Sequence, residues 1–388
     1  MTEASGTYTA PFTALAELLH ARVEDGTERG ASLCVIQDGE VLVDIWDGWF
    51  DRDSTVPWQR DTITPVWSTT KVMTNLAALV LVERGELDLD SAVATYWPEF
   101  AAGGKEHITV AQILGHASGV SGWTSPVEVD HLYDWERSTS LLAAQEPWWE
   151  PGTASGYHLL NQGHLVGEVV RRITGITLGQ FFAKEIAGPL AADFHIGLDP
   201  AHDARVSPLS SPRPLTLQTP PAEPSDIQMR TFANPFLPAR EANSERWRRA
   251  ELPALNGHGN ARSMARIQSL ISHGGEVDGI RLLSPDTIDR IFEVQASGID
   301  LVLGVKATFG VGWALPEPES MPSVAPGRRC YWGGLGGSVV INDLERRLTI
   351  AYAMNRMVFE AIPAGNGQRP CGDSRSDEYV AAIEAAIA

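Results

Sequence analysis

The chain has 388 residues, about two to three times a typical domain, so one large bilobed unit or two domains is expected. Its 43% hydrophobic and 20% charged residues are those of an ordinary globular protein with ample apolar surface for a core. Thirty Lys and Arg against 49 Asp and Glu give a net charge of −19. A field of that sign repels nucleic acid and anionic membranes, and neither is expected as a partner.

Residues 1–10 read as a loose tail, without the basic and apolar regions of a secretory signal, so a cytoplasmic location is the expectation. Residues 12–23 follow as an amphipathic helix with Phe12, Leu15, Leu18 and Leu19 on one face. Two β-rich runs, ASLCVIQ (31–37) and EVLVDIW (40–46), flank Asp38-Gly39, a strong hairpin signal. Residues 71–84 are helical and strongly apolar, with Gly85 as the stop. The apolar run 76–82 is far too short to span a bilayer.

The clearest later helix is 159–173, closed by Gly175. Residues 207–253 carry Pro208, Pro212, Pro214, Pro220, Pro221, Pro224, Pro235, Pro238 and Pro253, too irregular for a helix or a sheet interior. A disordered linker and an ordered loop draped on the body both fit; the embedded Phe232, Phe236 and Trp247 favour the loop. Helices are expected at 262–272, 285–292 and 377–387, and strands at 309–314, 337–341 and 348–354. Strands at both ends with helices between imply an α/β sheet lobe closed by the two termini, with a helical lobe inserted. Cys34, Cys330 and Cys371 are odd in number and scattered, and fit neither a disulfide framework nor a metal site.

Three segments carry chemistry. Trp67-Ser68-Thr69-Thr70-Lys71 opens the apolar helix, and the i, i+3 spacing brings the Lys71 amine towards the Ser68 hydroxyl. The helix N-terminus adds a positive dipole end suited to a developing oxyanion. A serine needs a neighbouring base, and lysine serves when burial lowers its pKa. S-x-x-K alone is a weak signal, but the chain has only four lysines (Lys71, Lys105, Lys184, Lys306), and one heads this helix. Second, Gly152-Thr153-Ala154-Ser155-Gly156-Tyr157 is a glycine-bracketed turn; its tyrosine is either a packing residue or a proton relay. Third, Trp332-Gly333-Gly334-Leu335-Gly336-Gly337-Ser338 leads into a strand, as a mobile loop or an edge that a ligand approaches closely.

In this order, and with ERGELDLDSAVATYWPEF, ITVAQILGHASGV, YHLLNQGHLVGEVVRRITG, NGHGNARSMARI and AYAMNRM around them, the three segments resemble the signature of serine β-lactamases, D-Ala-D-Ala peptidases and family VIII carboxylesterases. The resemblance covers residues 12–388. It implies a β-lactamase/transpeptidase-like α/β (α+β) fold with an antiparallel sheet flanked by helices. The sheet domain would comprise 11–90 and 262–388, and the mainly helical insert 91–261 with its proline-rich loop. It further implies Ser68 as acylated nucleophile, Lys71 and Tyr157 as base pair, and the Ser68 and Leu335 N–H groups as oxyanion hole.

Two departures favour an esterase. The tyrosine motif of β-lactamases is Y-x-N, whose asparagine holds the acylamino group; here Leu159 stands there. Their K-T-G lysine, which pairs with the drug's carboxylate, is replaced by Trp332. A charge-assisted bond of about 1.5–3 kcal/mol is thereby missing. Arg328 and Arg329 lie just upstream as substitute cations. Substrate contacts are therefore expected from Leu159, His258, Trp332, Gly333 and Gly334, with His116 structural. The expected activity is carboxylester hydrolysis of a small-molecule ester, without cofactor or metal. The rivals are a β-lactamase, a D-amino-acyl peptidase or amidase, a transacylase, and a non-catalytic binding member of the fold. No G-x-S-x-G or H-E-x-x-H occurs.

Overall fold

The computed structural model describes residues 3–210, 223–364 and 367–388. Its centre is a nine-stranded antiparallel sheet, in the spatial order Ser5–Tyr8, Glu40–Gly48, Gly30–Gln37, Leu348–Met354, Val339–Asp343, Arg329–Gly333, Ala314–Leu315, Lys306–Phe309 and Ala296–Ile299. Early and late strands meet in its middle, where Ile350 pairs with Val35 and Tyr352 with Leu33. The hairpin at Asp38-Gly39 forms as expected, both residues taking positive φ (49° and 84°), the conformation of a type I′ turn.

Period-two alternation divides the strand Leu348–Met354 between two cores. Leu348, Ile350, Tyr352 and Met354 face one apolar cluster with Leu15 and Leu19 of the helix Thr13–Glu24 and Tyr379, Val380 and Ile383 of the helix Ser374–Ala386. Ala351 and Ala353 face the other, where their small side chains let the helix Ala261–Ser272 lie close against the sheet. That second cluster continues without a break through the helix Thr70–Glu83 into the helix Gln162–Thr174 and Phe182, so sheet and helical insert share one core. Every residue from Thr70 to Leu81 is buried, which explains why both faces of that segment are apolar.

Several expectations need correction. The tail contains the edge strand Ser5–Tyr8, which pairs with residues 43–46; its pairing is non-local and left no signal in its own composition. The segment 309–314 is not one strand but the bend of a hairpin, with Phe309 opposite Ala314. The helix expected at 159 starts at Gln162, and 157–161 form a loop ahead of it. The proline-rich segment holds the short helices Asp226–Ala233 and Glu245–Arg249 and buries Trp247, but leaves Phe232 and Phe236 exposed. Pro212, Pro214, Pro220 and Pro221 lie outside the described residues. Cys34 and Cys330 are buried free thiols. Among the described residues no helix is long and apolar enough to cross a membrane.

Because Ile350 faces only the core away from helix 261–272, Ile350→Ala is expected to cost about 2–5 kcal/mol of stability while leaving kcat/KM unchanged. Urea unfolding and ester turnover on the same preparation measure both.

Candidate active site

Ser68 stands in the single 3₁₀ turn Trp67–Thr69 that leads into helix 70–83. Trp67 takes φ 48°, a left-handed conformation costing a bulky residue about 1–3 kcal/mol. The indole is buried against Trp247 at 5.1 Å, which holds it there. The kink presents Ser68 to a cavity of about 520 Å³ instead of continuing it into the helix.

Lys71, one turn further, is wholly buried. Its Nζ lies 3.2 Å from Ser68 Oγ, 3.0 Å from the Leu159 carbonyl oxygen and 3.1 Å from that of Ala254. Desolvation pushes its pKa well below the ordinary lysine value. A neutral amine has two hydrogens and one lone pair. Donating both hydrogens to the carbonyls turns the lone pair to the Ser68 hydroxyl, so the geometry suits a base.

Tyr157 lines the same cavity, with Lys71 Nζ 4.9 Å from its ring centroid. Its backbone N–H donates to the buried Asp300 carboxylate (3.1 Å), which also accepts from the N–H groups of Val302 (2.9 Å) and Leu303 (2.8 Å). One carboxylate thus ties the tyrosine loop to the cavity rim. Behind Tyr157 lies His116, centroid distance 5.0 Å, packed also on Phe309 and Trp332. Burial depresses the His116 pKa well below its usual range, so it stays neutral, and its Nδ1 accepts the His158 N–H at 3.0 Å. That is a structural role.

The glycine-rich segment closes the opposite side. Gly334 approaches the Ser68 turn so closely that a Cβ there would lie 2.1 Å from the Val66 carbonyl oxygen and 2.3 Å from Ser338 Oγ. Ser338 Oγ in turn donates to the Val66 carbonyl at 2.8 Å, stapling this segment to the turn that carries Ser68. Residues 334–337 form a β-turn with the Gly337 N–H on the Gly334 carbonyl (3.1 Å) and Gly336 at φ 92°, as the third position of a type II turn requires. Since the 334–335 peptide is trans and its carbonyl points into the turn, the Leu335 N–H points out of it.

The structure brings Ser68, Tyr157, Leu159, Trp332, Gly333, Gly334 and Leu335 to the one cavity, with Lys71 immediately behind. His258 is the exception and corrects the expectation. It pairs with Pro65 in a short ribbon and exchanges both backbone bonds with His195, leaving its ring enclosed away from the cavity with a pKa pushed down to about 3 by burial. Arg328 and Arg329 are likewise committed elsewhere, to Asp289 and to Asp343 (2.7 Å), and neither lines the cavity. Walls not foreseen come from Phe232, Pro235 and Phe236 of the proline-rich segment, and from Leu303, Val305, Phe309 and Tyr331.

The close approach at Gly334 makes neighbouring glycines unequal. Gly333 has only the Ser338 carbonyl near its would-be Cβ, at 3.8 Å. Gly334→Ala is expected to push the strand off the Ser68 turn and lower kcat by roughly 10²-fold or more, the scale of a lost oxyanion donor. Gly333→Ala should retain activity within a few-fold. Equal losses in steady-state assays would contradict the approach described.

The β-lactamase family model matches residues 15–368. The esterase/β-lactamase LipL of Mycobacterium tuberculosis (strain ATCC 25618 / H37Rv) is 33% identical over 344 residues, 85% of this chain and 77% of that protein. Esterase EstB of Burkholderia gladioli is 32% identical over 178 residues, 42% of this chain and 45% of that one. Among solved structures, a family VIII carboxylesterase is 36% identical with a TM-score of 0.89, covering 99% of this chain and 100% of that one. A penicillin-binding protein homologue from Caulobacter crescentus is 34% identical with a TM-score of 0.90 over the same shares. With its fold and motifs, the chain belongs to the β-lactamase family and is a hydrolase of that family's serine-type fold.

Proposed function

We propose that the protein is a serine carboxylesterase acting on neutral small-molecule esters through a Ser68 acyl-enzyme. The observation that carries this reading is the buried Lys71 amine, directed at Ser68 by two backbone carbonyls. In acylation Lys71 takes the Ser68 proton as Oγ attacks the ester carbonyl. The Ser68 and Leu335 N–H groups hold the oxyanion. Tyr157, beside Lys71, relays the proton to the departing alkoxide. Water then attacks the acyl-enzyme while the same pair takes its proton. These groups suffice for the chemistry without a cofactor.

The choice of ester over lactam rests on what surrounds the scissile bond. Leu159 has no polar group for an acylamino function, and Trp332, its ring 6.0 Å from that of Tyr157, occupies the place of a cation. The two arginines that could have replaced it are engaged elsewhere. A lactam would leave two polar groups unpaired at about 1–3 kcal/mol each, or roughly 30- to 10⁴-fold in kcat/KM. A neutral ester loses nothing and gains the apolar walls. The EstB and family VIII carboxylesterase names support this reading; LipL, named for both activities, keeps the lactam comparison necessary.

Ser68→Ala is expected to abolish turnover of p-nitrophenyl butyrate and, in intact-mass spectra, the acyl adduct. Lys71→Ala, Tyr157→Phe and the double variant should each lose similar kcat, about 10²–10⁴-fold, because the two act as one unit. Losses that multiply would separate their roles. Measured on one preparation, kcat/KM for penicillins and cephalosporins should fall below that for the ester; parity would return the lactamase reading.

A further inference from the structure

Arg375 is a charged residue that is only 1% exposed. It sits in the first turn of helix 374–386, gripped by two carboxylates: Nη1 donates to Glu28 (2.8 Å), and Nε and Nη2 donate to Asp373 (2.9 and 2.7 Å). Nη2 also reaches the carbonyl oxygens of Arg356 (2.9 Å) and Gly336 (3.1 Å). The last contact is the informative one. The Gly336 carbonyl belongs to the 336–337 peptide, whose N–H donates to the Gly334 carbonyl at 3.1 Å. That carbonyl belongs to the peptide bearing the Leu335 N–H. The Val358 N–H, 3.1 Å from the same Gly336 oxygen, is the second donor at the head of this series.

We propose that Arg375 is a positioning residue of the oxyanion hole, acting on the Leu335 N–H through two consecutive peptide groups. This rests on the reading of Leu335 as an oxyanion donor. Geometrically, the guanidinium fixes the 336–337 plane, which fixes the 334–335 plane and so the direction of the outward N–H. Electrically, a cation donating to the first carbonyl makes the 337 N–H a better donor. That in turn polarises the 334 carbonyl and strengthens the 335 N–H, since hydrogen bonds in a chain reinforce one another in a low-dielectric interior. Glu28 and Asp373 hold the cation in place and temper its charge. A guanidinium suits the position because its rigid fork serves Glu28, both Asp373 oxygens and the surrounding backbone carbonyls at once; an ammonium has three donors on one atom.

The test is the carbonyl stretch of the acyl-enzyme formed from p-nitrophenyl cinnamate labelled with carbon-13 at its carbonyl. This frequency falls as oxyanion-hole hydrogen bonds strengthen. Leu335→Pro deletes the N–H while suiting the second position of a type II turn. It should raise the frequency and lower kcat roughly 10²- to 10³-fold. Arg375→Lys should raise the frequency part of the way and lower kcat about tenfold, about 1.4 kcal/mol, with KM unchanged. In the Leu335→Pro background it should shift the frequency no further. Glu28→Gln, which removes a counter-charge and remains informative if Arg375→Lys does not fold, should lower the frequency at pH 8.5. An effect of Leu335→Pro with none from Arg375→Lys or Glu28→Gln would overturn the proposal and leave the oxyanion reading standing. An additive shift in the double variant would also overturn it. No effect of Leu335→Pro would remove the oxyanion reading itself, and the proposal with it.

Discussion

The arrangement on which the rest of the structure depends is the enclosure of one amine. Lys71 Nζ has three polar neighbours, the Ser68 hydroxyl and the carbonyls of Leu159 and Ala254. They come from the Ser68 turn, the tyrosine loop and the segment ahead of helix 261–272, so the lysine joins three distant parts of the chain. Its enclosure opposes stability. Wherever the folded pKa lies below the unfolded one, the unfolded chain binds more protons, and stability falls as pH falls towards the folded value. The fold offsets this with the helix 70–83, buried from Thr70 to Leu81, and the same burial lowers the pKa of the amine well below the ordinary lysine value. Stability and reactivity are thus set against each other at one residue.

Around that amine the molecule uses rigid backbone where a looser protein would use flexible side chains. Trp67 holds a strained turn, Gly334 lets a strand lie against it, Ser338 bonds the two, and Asp300 collects three N–H groups beneath Tyr157. Few side chains at the reaction centre are free to adjust, which favours a preorganised site over one assembled by the substrate. The cavity that opens from it is lined chiefly by apolar side chains. It receives no cation from Arg328 or Arg329 and no amide from position 159.

Much of this was legible in the sequence because it is local. Asp38-Gly39 defines a hairpin by turn chemistry alone, residues 71–84 announce a helix by being strongly apolar up to the stop at Gly85, and strand 348–354 is a largely apolar run. Ser68 and Lys71 meet because i, i+3 spacing on one helical turn compels it. Tyr157 and the glycine segment needed the resemblance, since nothing local says they share a cavity. What was not legible is non-local. The strand Ser5–Tyr8 exists only through its partner Glu40–Gly48, and Phe232 and Phe236 become cavity walls only when the proline-rich segment folds back. Arg375 carries no motif; its importance lies in what Glu28 and Gly336 place around it. His258 misled because its segment belongs to the family signature while its ring is enclosed beside the site, not in it.

The central claim is that Lys71 is unprotonated in the resting protein, and nuclear magnetic resonance can test it directly. Only four lysines are present, so labelling lysine Cε with carbon-13 yields few signals, and single Lys→Arg variants at Lys105, Lys184 and Lys306 assign them. The account predicts that at pH 7.5 the Lys71 Cε resonance has the shift of a neutral amine. It should move to the ammonium position only when the sample is taken well into acid. An ammonium shift for Lys71 at pH 7.5, titrating near the ordinary lysine value, would contradict the account and require another base for Ser68.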